Sequence, residues 1–177
     1  MTNALTMLQA MAPEVVVACT AFLVMALDLR RAPKPRAQGL VALFGLLAAA
    51  LATVPDWLDT APTNQTLTLW GGIFVVDPLS VVFRSLACLT GALVLLFSLD
   101  SIEAERQHPG DFVTLVPFVV LGLMLSVGTA ELLTFFLAFE ILSLPLYLMA
   151  AWHKRQKASA EAGLKYFVNG AVASAVM

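Results

Sequence analysis

The polar residues of this chain gather into short connectors, and between them run long apolar stretches. A helix that crosses a bilayer needs about 20 largely apolar residues. Five stretches approach that length, roughly Pro13 to Leu29, Gln38 to Val54, Pro78 to Leu99, Phe112 to Val127 and Ala130 to Trp152. A sixth opens near Ser159 and runs to Met177, where the sequence stops part-way through a span. A chain end in mid-bilayer would leave carbonyls and a carboxylate in hydrocarbon, so the expectation is a piece of a longer protein. The pattern predicts an all-α polytopic bundle of transmembrane helices, five complete spans plus the start of a sixth, forming one domain over residues 1–177. Between the second and third spans, Pro55 to Gly72 carries Pro55, Pro62, Trp57 and Trp70. It reads as a short ordered excursion with its tryptophans at the membrane interface.

The basic residues give the bundle a direction. Arg30, Arg31, Lys34 and Arg36 lie between the first and second spans, Arg106 between the third and fourth, and Lys154, Arg155 and Lys157 between the fifth and sixth. The N-terminal tail, the Pro55 to Gly72 loop and the Ser126 to Thr129 turn carry none. Cytoplasmic loops are enriched in Lys and Arg, so the N-terminus is expected outside. The regular alternation also supports the number of spans, since a missed helix would scramble it. The first stretch does not read as a cleaved leader: it lacks a basic start, and Asp28-Leu29-Arg30-Arg31 follows it where small residues would be needed.

Composition agrees with the pattern. The chain is 60% hydrophobic and 12% charged, too apolar for a water-soluble domain, and its net charge of -2 leaves no cationic footprint for nucleic acid. Cys19 and Cys88 fall singly within apolar runs, and His108 and His153 sit in connectors without ligand spacing. With no Gly-rich phosphate loop and no Ser/His/Asp set, the chain presents no metal, nucleotide or flavin site of its own.

Ionisable residues inside spans cost about 2.5 to 3.5 kcal/mol at the helix centre and therefore call for a reason. Glu140 lies about 15 Å along the fifth span at 1.5 Å per residue, near the expected midplane. Ser143 and Tyr147 share its helix face, and Pro145 frees the carbonyl of Ile141, so the region reads as a hydratable polar seam. That seam suits proton or ion movement; a protonated or paired carboxyl serving helix packing is the plainer reading. Lys165 in the sixth stretch has Asn169 on its face and small residues around it, among them Gly163, Gly170 and Ser174. A buried lysine there can be switched between charge states, whereas one that snorkels to the cytoplasmic interface cannot. Arg84 holds its proton too tightly to carry one and reads as a structural or tuning charge. Asp77 before Pro78 reads as a helix cap, and Glu14 and Glu131 as first-turn acids.

The segment Glu131-Leu-Leu-Thr-Phe-Phe-Leu-Ala-Phe-Glu140-Ile-Leu-Ser-Leu-Pro-Leu-Tyr147, continued by Glu161-Ala-Gly-Leu-Lys165-Tyr-Phe-Val-Asn169-Gly170, resembles the antiporter-like membrane subunits of proton-pumping NADH:quinone oxidoreductase, respiratory complex I. Ser-Leu-Pro-Leu-Tyr and Gly-Leu-Lys-Tyr-Phe favour its subunit N branch. The resemblance implies a multi-pass subunit of the cell inner (plasma) membrane that takes part in proton translocation coupled to electron transfer from NADH to quinone. It implies that Glu140 is the carboxylate that pairs with a lysine on a later broken helix and that Lys165 is the sixth-helix lysine; from the residues themselves, Arg84, Ser143, Tyr147 and Asn169 are expected to tune or line the polar seam. The implied partners are the bilayer and other membrane subunits of complex I. NADH, FMN, iron-sulfur clusters and quinone belong to the whole complex and none to this chain. A subunit of a multi-subunit cation/proton antiporter or of a membrane-bound hydrogenase would share the helix pattern.

Overall fold

The structure, a computed structural model, describes residues 4–29, 35–62, 66–104, 109–153 and 156–176. The connector residues Arg30, Arg31, Lys34, Arg106, His108, Lys154 and Arg155 lie outside the described residues. In chain order the elements are α1 (Ala4–Ala10), α2 (Ala12–Leu29), α3 (Pro35–Ala52), α4 (Val54–Thr60), β1 (Leu67–Leu69), β2 (Phe74–Val76), α5 (Pro78–Ala104), α6 (Pro109–Gly128), α7 (Leu132–Ala150) and α8 (Lys157–Val176). Among the described residues, five helical stretches are long and apolar enough to cross a membrane: Ala12–Leu29, Arg36–Thr60, Pro78–Asp100, Gly110–Gly128 and Leu132–Ala150. These are the five spans the apolar stretches predict. The sixth stretch is also a helix, α8, but Lys157, Glu161, Lys165 and Asn169 make it the most polar of the long helices.

Helix α6 is central and packs on α2, α3, α5 and α7, α3 packs between α2 and α5, and α8 leans on α7 at the edge. The main core is filled by Val17, Leu46, Cys88, Leu95, Val113 and Met124 with their neighbours. Outside it stand equally apolar side chains, such as Phe22, Leu51, Phe97, Leu133 and Leu148, which are more than half exposed. A bundle as oily outside as inside has lipid as its solvent, so helix association rests on close packing rather than on hydrophobic burial. Gly122 shows this: a Cβ there would strike the backbone of Leu142, so its absence lets α6 and α7 approach closely.

One end of the bundle is closed by elements the helical pattern did not predict in detail. The excursion after α3 forms α4 and then an antiparallel hairpin in which Leu67 faces Val76 and Leu69 faces Phe74. Its turn runs through Trp70, Gly71 and Gly72 at φ 47, 71 and 99°, a left-handed region that glycine adopts freely and tryptophan does not. Phe74 bridges to Thr129, and the Ala130 N–H donates to the Ile73 carbonyl at 2.9 Å, which joins the hairpin to the α6–α7 turn. Ala10, Leu69, Phe74, Val76 and Val81 pack under this cap. The expected Asp77 cap is present, with the Ser80 N–H donating to Asp77 Oδ1 at 2.7 Å and the Asp77 N–H to Ser80 Oγ at 2.9 Å.

Gly122→Leu is expected to destabilise the protein by about 1–3 kcal/mol by forcing α6 from α7. A lowered thermal unfolding midpoint in detergent, without loss of helical signal at low temperature, is the expected result.

Candidate functional site

Two polar clusters lie among the spans. The first surrounds Arg84, whose side chain is 0% exposed. Burying a guanidinium is tolerable only if its donors are met by acceptors, and Arg84 meets them from several elements. Glu14 of α2 takes a two-pronged contact, from Nε to Oε1 at 2.6 Å and from Nη2 to Oε2 at 2.5 Å. Nη2 also donates to the Ala10 carbonyl at 2.9 Å, at the end of α1, and Nη1 to Asp56 Oδ2 of α4 at 3.2 Å. The Phe74 ring of β2 lies below, 5.8 Å from the guanidinium carbon. Arg84 is thus buried and paired at the meeting point of α1, α2, α4 and α5. Glu14 lies in the first turn of α2 as expected, but its carboxylate is spent on Arg84. Sequence reasoning missed this pairing, although a signal existed: by the alternation of spans, Glu14 and Arg84 are opposite charges near the same end of the bundle. Asp56 carried no signal, because it read as part of a loop.

The second cluster lies between α7 and α8. Glu140 is half-buried near the middle of α7, and the Ser174 hydroxyl of α8 donates to its Oε1 at 2.7 Å. Ser143 is buried on the same side, with its Oγ 3.5 Å from the Glu140 carbonyl, and Pro145 is buried beyond it. Tyr147 is buried edge-on against Tyr166 at 4.9 Å and Phe167 at 5.7 Å between ring centroids. Gly170 leaves room for its hydroxyl, and Gly163 sits against Ala151. Small residues on α8 therefore let it lie close to α7, as their number suggested.

Glu140, Ser143 and Tyr147 follow one another along α7, with Glu140 meeting α8 at Ser174 and Tyr147 meeting it at Tyr166 and Phe167; Lys165 and Asn169 are turned to the exposed surface. Lys165 is 71% exposed at its side chain and pairs with Glu161 one turn away, Nζ to Oε1 at 2.6 Å. Asn169 is exposed as well. Ser174, the contact of Glu140, stands about 14 Å further along α8 than Lys165 at 1.5 Å per residue. Glu131 stands at the N-cap position of α7 without a side-chain bond to a helix N–H, and the Thr134 hydroxyl donates to its Oε2 at 2.9 Å.

Among the described residues no three His, Cys, Asp or Glu side chains converge as metal ligands. Cys88 is buried with its thiol against Met124 sulfur at 3.4 Å.

Residues 129–177 match the family described as NADH:quinone oxidoreductase/Mrp antiporter, transmembrane. The chain is 36% identical over 163 residues to NAD(P)H-quinone oxidoreductase subunit 2 of the Nephroselmis olivacea chloroplast, covering 92% of this chain and 32% of that protein. It is 38% identical over 167 residues to NADH-quinone oxidoreductase subunit N of Thiobacillus denitrificans, covering 93% and 33%. Its fold is similar to a chain of respiratory complex I from Thermus thermophilus solved with bound aureothin, with a TM-score of 0.74 and 29% identity, over 92% of this chain and 34% of that one. The chain spans about a third of the length of the curated relatives it matches.

Removing one partner of a buried ion pair costs about 3–5 kcal/mol, because the other charge is left without compensation. Arg84→Met is therefore expected to reduce the amount of folded protein in the membrane sharply, and adding Glu14→Gln to recover part of the loss. Thermal stability of the purified variants checks both.

Proposed function

We infer that this chain, a member of the antiporter-like membrane-subunit family of NADH:quinone oxidoreductases, takes part in proton translocation in the membrane arm of such a complex, with Glu140 as its proton-handling carboxyl. The observation that carries this reading is an ionisable carboxyl near the middle of a spanning helix, held by the neutral hydroxyl of Ser174. A carboxyl held in this way stays open to pairing with a basic group. Within about 4–6 Å of a lysine on a later helix, its charge would shift that lysine's pKa by about 1–3 units, enough to load or release the lysine's proton. The relationship to subunit N supports the placement in complex I.

The neighbouring residues take supporting parts in this reading. Ser143 and Tyr147 form the polar seam beside Glu140. Lys165, paired with Glu161, relays or tunes the proton from the outer face of α8, where Asn169 extends the polar surface. Arg84 tunes the field from the hairpin end. Electron transfer from NADH to quinone, through FMN and iron-sulfur clusters, falls to other subunits of the complex. The partners are those membrane subunits and the lipid of the cell inner (plasma) membrane. A cation/proton antiporter subunit is the second reading, since the matching family description also names Mrp antiporters.

Glu140→Gln in the full-length protein is expected to lower proton pumping coupled to NADH oxidation by about tenfold or more, as for loss of a positioned proton-transfer group. Wild-type pumping with normal assembly would remove Glu140 from the mechanism, and pumping that requires sodium would favour the antiporter reading.

The Lys and Arg residues of the connectors support a reading with the N-terminus and the hairpin outside. A cysteine at the exposed Thr68 is expected to react with an impermeant maleimide added to intact cells, and one at Gln156 only after the membrane is opened.

A further inference from the structure

The Arg84 cluster is unbalanced. It holds one guanidinium against two carboxylates, Glu14 and Asp56, with the three side chains 0%, 3% and 8% exposed. An arginine cannot relieve such an excess by losing its proton, which would make the imbalance worse, so relief must come from a proton on a carboxylate. Geometry distinguishes the two. Both Glu14 oxygens are held by short guanidinium contacts, whereas Asp56 makes a single contact at 3.2 Å. Asp56 also lines a polar pocket of about 210 Å³ at the hairpin end, with Gln9, Asp59, Thr60 and Thr66 around it. Gln9, Asp59 and Thr66 are exposed at its rim, so the pocket connects the buried cluster to water.

We propose that the Glu14–Arg84–Asp56 cluster is a proton-binding site open to the water on the hairpin side of the membrane, with Asp56 as the group that takes up and releases the proton. A hydronium ion in the pocket gives its proton to an Asp56 carboxylate oxygen and leaves as water. Arg84 stays cationic and paired with Glu14, and the cluster becomes neutral. The charged groups facing Asp56 are Arg84 from α5, Glu14 from α2 and Asp59 from its own helix. From the hairpin, Leu67 and Val76 face the pocket and bring no charge. Asp59 stays at the pocket rim and adds to the negative field that draws a proton in. This site is independent of the role given to Glu140.

The test is chemical modification of the full-length protein in its native membrane with dicyclohexylcarbodiimide, which adds to protonated carboxyls in apolar surroundings and leaves a stable acylurea. Peptide mass mapping is expected to find the adduct on Asp56. Its initial rate should rise about tenfold per unit fall in pH above the carboxyl's own pKa and then level off. Asp56→Asn should abolish the adduct; if that variant does not assemble, the pH profile of the wild-type protein decides alone. An unmodified Asp56 at every pH, a rate that does not change with pH, or an adduct on Glu14 instead would each overturn the proposal. A pumping defect in Glu140→Gln would leave this result untouched.

Discussion

A guanidinium without water must find its hydrogen-bond partners within the protein, and at Arg84 that requirement draws together α1, α2, α4 and α5. None of these contacts is local in sequence, so the cluster can form only when the helices are already side by side in the correct order. In lipid, apolar faces carry little information about which helix should meet which, because every neighbour is as oily as the next. A buried ion cluster supplies that information, since any other arrangement leaves a charge unpaired in hydrocarbon. The hairpin then covers it, with Phe74 lying under the guanidinium and bonded through its neighbours to the α6–α7 turn.

The Glu140 region is built on a different principle. Its carboxyl accepts from the Ser174 hydroxyl of α8, a helix most of whose side chains are exposed. A guanidinium bridged by carboxylates ties several helices together at one end, whereas the Ser174 contact of Glu140 ties α7 to α8 on one flank.

Much of this was legible in the sequence. The five spans follow from apolar length, the Asp77 cap from Asp-Pro at a span start, and the packing of α8 on α7 from Gly163 and Gly170. Glu140 with Ser143 and Tyr147 followed from helical spacing alone. The hairpin was not legible, because Leu67–Leu69 and Phe74–Val76 are three residues each, too short for an alternating pattern to stand out from an apolar background. Asp56 was missed for a related reason: nothing local marks a loop aspartate that becomes buried when α4 folds back onto α5. Ser174 as the contact of Glu140 is likewise a tertiary fact, set by the close approach of α7 and α8. Lys165 lies where the helix pattern put it, but only the fold shows that it turns outward to Glu161.

The bond between Ala130 and Ile73 has a mechanical consequence. It ties the start of α7 to the strand that leads directly into α5, so the heads of these two helices are splinted together. A lever fixed at its head swings at its foot. A tilt of α7 would then be restrained more at Leu132, beside this bond, than at Ala150, the end that hands the chain on to α8.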